Sequence, residues 1–247
     1  MPQLVRDTLY EPVLVRGIGS EIGMALAHAV MSRGGRVLGL CRKPDTLARI
    51  HSAGCEGLVC ETPEDLPQLL RAHSFVPASF VDLVHSGTES LLAGLAPDRI
   101  DAWAYEDIAL RARFLRTVVR LMLPARKGRC LFMSSSAAAA PAKGQAFYAA
   151  AKLCAESLYN SAGLEMASYG ITACSVRAGW LDAGRGRTFL QGRKEKFEQC
   201  IPTGRLVSLD EVVGTMIFLL SAEAASINAT TVTVDGGFCM AKQKGQA

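Results

Sequence analysis

Three side chains have the types and spacing to do chemistry together. Tyr148 and Lys152 are four positions apart, one helical turn, so a helix there puts both on one face. Ser135 precedes Tyr148 by thirteen residues. A carbonyl that accepts hydride develops negative charge on its oxygen, and that oxygen needs a proton. A phenol, with an ordinary pKa of about 10, can supply it when a neighbouring cation lowers that value. Lys152 is such a cation. Alone, Tyr-x3-Lys is common on helix surfaces and a serine run often just ends a strand. The combination gains meaning from the rest of the chain.

The second signal is Gly17-Ile18-Gly19-Ser20-Glu21-Ile22-Gly23, between the apolar run PVLVR (12–16) and the helix-compatible stretch MALAHAVMSRGG. Glycines at a strand-to-helix turn let the backbone approach a pyrophosphate. The helix N-terminus then offers it unpaired N–H groups and a partial positive charge.

These residues need a scaffold, and the chain supplies one. Strand candidates are PVLVR (12–16), RVLGLC (36–41), EGLVC (56–60), FVDLVHS (80–86), RCLFMS (129–134), ITACSVR (171–177) and TTVTV (230–234). The first six are each followed by a helix-compatible segment, and long helices are expected over roughly 101–123 and 146–168. Near-continuous apolar strands alternating with helices indicate a doubly wound α/β protein, its parallel sheet covered on both faces. Ligands of such sheets bind outside the carboxyl ends of the strands.

Bulk properties narrow the function. The 247 residues suit one α/β domain, and 49% apolar residues provide a full core. A net charge of +4 is too weak to imply nucleic acid, and apolar runs such as MIFLL (216–220) are far too short to span a bilayer. The eight cysteines form no C-x-x-C pair and mostly sit in apolar runs, which points to reduced buried thiols rather than disulfides or zinc. With no basic segment followed by an apolar run at the N-terminus, no signal peptide is expected and a cytoplasmic protein is.

From about residue 12 to 238, the order of these motifs resembles the short-chain dehydrogenase/reductase family. Further matches are Gly170–Asp182, Ile201-Pro202-x-Gly204-Arg205, the helix-like DEVVGTMIFLL and Val234-Asp235-Gly236-Gly237. The resemblance implies a single Rossmann-type domain over 1–247 with a mainly parallel seven-stranded sheet and a substrate lid at about 183–205. It implies Ser135, Tyr148 and Lys152 as catalytic residues, with the lysine also holding the nicotinamide ribose. Cofactor contacts are implied at Arg16, Gly17, Ser20, Ile22, Gly23, Arg42, Ser86, Gly87, Gly179 and Leu181, besides Tyr148 and Lys152, and no metal is expected. An acid ending the second strand would favour NAD. This chain reads Leu40-Cys41-Arg42-Lys43, so NADP(H) is implied, with Arg42 clamping the 2′-phosphate and Lys43 in support.

The family's Thr-Gly-x3-Gly-x-Gly becomes Arg16-Gly17-x3-Glu21-Ile22-Gly23, and Arg16 is expected to pair with Glu21. Asn-Asn-Ala-Gly becomes His85-Ser86-Gly87-Thr88, with His85 read as structural. Counting back from Leu123-Pro124 puts Arg111 near the place of the family's helix-four asparagine, which is therefore absent. Ala178 replaces a proline and Ala183 a threonine.

Residues 183–200 carry Arg185, Arg187, Arg193, Lys194 and Lys196 against Glu195 and Glu198, and a second basic cluster, Arg126-Lys127-x-Arg129, lies elsewhere. A basic lid suits an anionic substrate or carrier. The nearest functional resemblance is to β-ketoacyl carrier-protein reductases. The reading is an NADP(H)-dependent reductase of a small-molecule or acyl-thioester substrate, without nucleic-acid or membrane partners. The helices holding 115–123 and 149–166 are expected to pair between subunits in a dimer or tetramer. The same chemistry run in reverse is an alcohol dehydrogenase, and the competing readings are a silent partner or binding subunit and an enzyme of a non-redox or tailoring step in a biosynthetic pathway.

Overall fold

The computed structural model describes Leu9 and residues 11–243. The remaining ends of the expected domain, including residues 1–8 of the stretch read for a leader, lie outside the described residues. Seven strands form one parallel sheet: β1 Val13–Arg16, β2 Val37–Cys41, β3 Glu56–Val59, β4 Ser79–Asp82, β5 Gly128–Ser135, β6 Ile171–Ala178 and β7 Thr230–Val234. Their order is β3-β2-β1-β4-β5-β6-β7. The winding direction reverses between β1 and β4, so a crevice opens at the carboxyl ends of those strands.

The helices are α1 Glu21–Met31, α2 Pro44–Ser52, α3 Leu66–Ala72, α4 Pro97–Trp103, α5 Leu110–Met122, α6 Ala146–Met166, α7 Arg185–Leu190, α8 Lys194–Glu198, α9 Leu209–Leu219 and α10 Phe238–Gln243. Side chains alternate across a strand, so neighbours in β1 serve opposite cores. Val13 and Val15 pack with Leu26 and Val30 of α1 and Val212 and Met216 of α9. Leu14 packs on the other face with Phe114 and Val118 of α5 and Ala155 and Tyr159 of α6. The inner strands β1, β2, β4, β5 and β6 are buried on both faces, which is why they read as near-continuous apolar runs, while the edge strand β7 is partly exposed. None of the described helices is long and apolar enough to cross a membrane.

Two expected elements differ. The fourth strand stops at Asp82 instead of running to 86. The backbone beyond it is satisfied by side chains: Val84 N–H donates to Asp82 Oδ1 at 3.1 Å and Val84 C=O accepts from Arg111 Nη2 at 2.7 Å. The helix expected over 101–123 begins at Pro97 and is broken by a wide π turn, Ala104–Ala109, which turns Asp107 inward. The cluster at Arg126–Arg129 is split between surface and core, with Arg126 and Lys127 exposed. Arg129 is buried and donates to Thr172 Oγ1 at 2.7 Å, while Arg126 bonds the Ser168 carbonyl.

Candidate active site

A cavity of about 1280 Å³ opens along the carboxyl ends of β1, β2, β4, β5 and β6 and runs under the segment carrying α7. Ser135, the last residue of β5, lines it together with Tyr148 and Lys152 of α6. The Ser135 Oγ caps the turn after β5 by accepting from Ala137 N–H at 3.2 Å, which fixes the hydroxyl at the cavity wall.

Helical spacing then sets the face of α6. Tyr148, Lys152 and Glu156 recur every four residues, so they stack along one side of the helix. Glu156 is buried, where it accepts from Ser134 Oγ and from Arg177 Nε at 3.0 Å, tying α6 to β5 and β6. Lys152 is buried one turn earlier. Its Nζ donates to the Met133 carbonyl at 2.7 Å and lies 4.8 Å from the Phe132 ring centre and 5.6 Å from that of Tyr148. Burial, seconded by the Arg111 guanidinium, pulls the Lys152 pKa down to about 7, against the pull of Asp82, Asp107 and Glu156. His85, read as structural, lines the cavity, and its ring stands edge-on to Tyr148 at 5.6 Å.

The glycine loop forms the other end. Ser20 caps α1, its Oγ accepting from Gly23 N–H at 3.1 Å. A Cβ on Gly23 would sit 2.6 Å from the Ile18 carbonyl oxygen, so the helix starts this tightly against the loop only with glycine there. Gly17 has φ +88, open to glycine at no steric cost. Arg16, Gly17, Ser20 and Ile22 line the cavity, as do Arg42, Gly179 and Leu181. Ser86 and Gly87 are not among its lining residues. Ser86 instead gives both its N–H, at 2.8 Å, and its hydroxyl to the Asp107 carboxylate.

The expected Arg16–Glu21 pair is not formed. Arg16 turns into the core and donates to both oxygens of Asp82 at 3.1 and 3.2 Å, with its guanidinium 4.3 Å from the Phe114 ring centre. Arg111 takes the same carboxylate at 2.6 Å and the Asp107 carbonyl at 3.0 Å. Burial alone would raise the Asp82 pKa, but Arg111 and Arg16, with the Val84 N–H and Lys152, hold it below the ordinary value. Glu21 faces the opposite way and accepts from Gly184 N–H and Arg187.

Sequence reasoning missed Asp82, Asp107 and Arg49. Asp82 carries a signal, since it interrupts the apolar run FVDLV. Arg49 reaches from α2 to the Gly19 carbonyl at 3.2 Å and lines the cavity near Arg42, Lys43 and Thr46. Also missed is an aromatic wall beneath the segment carrying α7. Trp180 stacks on Phe189 at 5.2 Å and meets Phe197 at 4.3 Å, with Phe238 at its edge. Two of the five basic residues of 183–200, Arg187 and Lys194, are engaged by Asp182.

A nicotinamide dinucleotide fits these residues: the glycine turn and helix start for a diphosphate, the basic end of β2 for the adenosine side, and Tyr148 and Lys152 at the far end. Residues 107–239 match the family profile described as Enoyl-(Acyl carrier protein) reductase. The chain is 27% identical over 235 residues to 3-oxoacyl-acyl-carrier-protein reductase FabG of Salmonella typhimurium strain LT2, covering 92% of this chain and 96% of that relative. Its fold is similar to an oxidoreductase of the short chain dehydrogenase/reductase family from Burkholderia thailandensis, with a TM-score of 0.83, 22% identity and 94% and 96% of the two chains covered. It is equally similar to the F189W actinorhodin polyketide ketoreductase with NADPH, at a TM-score of 0.83, 23% identity and 92% and 96% coverage.

Proposed function

Because the chain belongs to the short-chain dehydrogenase/reductase family, we propose that this oxidoreductase is a cytoplasmic NADPH-dependent reductase of a carbonyl, with a 3-oxoacyl thioester as the first substrate class to test. One observation carries the reading: Lys152 and Tyr148, one helical turn apart, line with Ser135 a cavity that continues to the glycine loop. The similarity to the FabG reductase supports the acyl-thioester class. The cofactor, when bound, supplies hydride. Ser135 donates to the carbonyl oxygen and orients it. Tyr148 gives that oxygen its proton, and Lys152, when charged, stabilises the phenolate left behind. Lys152 also holds the nicotinamide ribose, with the Gly179–Leu181 backbone beside the ring. Gly17, Ser20, Ile22 and Gly23 hold the diphosphate, while Arg16 braces the loop through Asp82. Arg42, with Lys43, takes the 2′-phosphate. The segment 183–205 serves as the substrate lid over the aromatic wall. A dimer or tetramer belongs to the same reading, since α6 exposes Leu153 and Leu164 to 53% and 72%.

Fluorescence titration with NADPH and NADH, followed by NADPH oxidation with a 3-oxoacyl thioester and a carbonyl panel, tests the proposal. NADPH should bind at least about tenfold more tightly, as one well-placed charge-assisted contact allows. Tighter NADH binding overturns the cofactor assignment. Nucleotide binding without turnover on any substrate transfers the case to a binding or partner subunit.

A further inference from the structure

Glu21 is the one acid in the glycine segment 17–23, and it is bonded to residues 163 and 166 positions away. Its Oε2 accepts from Gly184 N–H at 2.9 Å, and its Oε1 accepts from Arg187 Nη2 at 2.8 Å. Arg187 is itself steered: Nη2 also donates to the Asp182 carbonyl at 3.0 Å, and Nε lies 3.4 Å from Asp182 Oδ1. Gly184 holds φ +53 and ψ −127, a conformation that costs a residue with a Cβ, so the N–H aimed at Glu21 is built into the turn.

The charge arrangement is specific. Glu21 is the first residue of α1, whose N-terminus borders the cavity. A carboxylate there favours the helix, yet it repels an anion placed at the same N-terminus. Arg187 brings the compensating charge, and it comes from the lid.

We propose that Glu21 is a positioning residue that latches the lid onto the glycine loop, and that Arg187 must cover it for a cofactor diphosphate to bind well. The inference rests on the nucleotide-binding reading above. Exposed ion pairs are individually weak, so the latch can open for cofactor release and close again. Nucleotide affinity and lid closure are thereby coupled through one carboxylate.

The test uses Glu21→Ala, Arg187→Ala and the double variant, with two readouts. The first is trypsin cleavage after Arg193 in nucleotide-free protein. It should quicken several-fold in both single variants, and in the double by less than the two effects combined, because both changes remove the Glu21–Arg187 contact while each also removes one of its own, to Gly184 or to Asp182. The second is NADPH affinity. Arg187→Ala should weaken it about tenfold by leaving Glu21 uncompensated, and adding Glu21→Ala should recover most of that loss. Rescue by removing a second side chain is not the behaviour of a pair that merely supports the fold. Glu21→Gln, which keeps the helix start, should reproduce the rescue if Glu21→Ala lowers thermal stability. Equal NADPH affinity in Arg187→Ala and the double variant overturns the proposal, as does unchanged cleavage in every variant. If the wild-type protein binds no nucleotide, the functional reading fails and cleavage alone decides the latch.

Discussion

At the β5–α6 end of the cavity, position comes from regular elements. Ser135 ends a strand paired along eight residues with β6, and Tyr148, Lys152 and Glu156 follow the helical repeat of α6. At the β1–β4 end, position comes from ion pairs between distant segments. Arg16 meets Asp82 across 66 positions, Arg111 meets Asp82 across 29, and Glu21 meets Arg187 across 166. The first end is held by a strand and a helix, and the second by charges that hold one another. A strand and a helix fix side chains by backbone geometry alone. Arginine and glutamate at a strand end and its loop need partners: Arg16 finds a buried carboxylate, where the charge must be matched, and Glu21 an exposed guanidinium.

The comparison breaks most visibly at Tyr148. Tyr148→Phe removes only the hydroxyl and keeps the ring beside His85 and Lys152. Turnover should fall about 10²- to 10⁴-fold with folding and nucleotide binding retained, as for loss of a positioned acid. Steady-state rates with a nucleotide titration on the same variant check it. Equal rates in both proteins would sink the assignment of Tyr148 as proton donor.

The opposite signature is expected at Asp82. Asp82→Ala leaves Arg16 and Arg111 buried without their shared carboxylate and should cost about 3–5 kcal/mol of stability. Urea denaturation measures it. A loss below about 1 kcal/mol, the range of an exposed pair, would mean the β1–β4 end is not held by this network.

The same contrast explains what the sequence disclosed. The inner strands were legible because both of their faces are buried, β7 at the edge because of its β-branched run TTVTV, and α6 because Tyr148 and Lys152 sit at its helical repeat. The overrun of β4 past Asp82 came from reading FVDLVHS as apolar while its one carboxylate was recruiting two arginines. The break at Ala104–Ala109 leaves no composition mark, since a wide turn keeps helical residues and shifts only their facing. Arg111 was placed in the neighbourhood of the site by counting, but Asp107, four residues earlier, is the side chain that the turn directs to Ser86. Pairings such as Glu21 with Arg187 have no periodic signature at all.

Lys152 joins the two ends, and pH reads the join. Its pKa stands at about 7 because it is buried and because Arg111 faces it, with Asp82, Asp107 and Glu156 opposing. If turnover needs the lysine cation, activity falls as pH rises through about 7. Stability should move the other way. Between about 7 and the ordinary 10.5 the unfolded chain holds the proton that the folded chain has released, so this group's contribution favours folding increasingly as pH rises through that window. Arg111→Gln removes the like charge and should shift the falling limb of activity to higher pH. A rate profile flat from pH 6 to about 9 would contradict the demand for the cation, given an ordinary lysine pKa near 10.4 and a depressed one here.

The smallest effect is expected where the ionic wiring reaches the surface. Arg42 Nη1 lies 3.9 Å from Glu106 Oε2, and both side chains are about half exposed. Glu106 stands in the wide turn that also carries Asp107, so the turn that rearranged the interior also sets a carboxylate against the proposed 2′-phosphate clamp. A pair this long and this exposed is worth about 0.2–1 kcal/mol. Glu106→Gln should free Arg42 by that amount and tighten NADPH up to about fivefold, since 1.4 kcal/mol is a factor of ten. NADH has no 2′-phosphate to meet the arginine, so its affinity should not change. The measurement is the ratio of the two dissociation constants, in low salt and again in high salt, where screening should shrink the gain. If NADH tightens as much as NADPH, Glu106 acts on the general field of the cavity and not through Arg42. If neither changes while Arg42→Asp still weakens NADPH, the ionic wiring of the β1–β4 end stops at the buried carboxylate of Asp82.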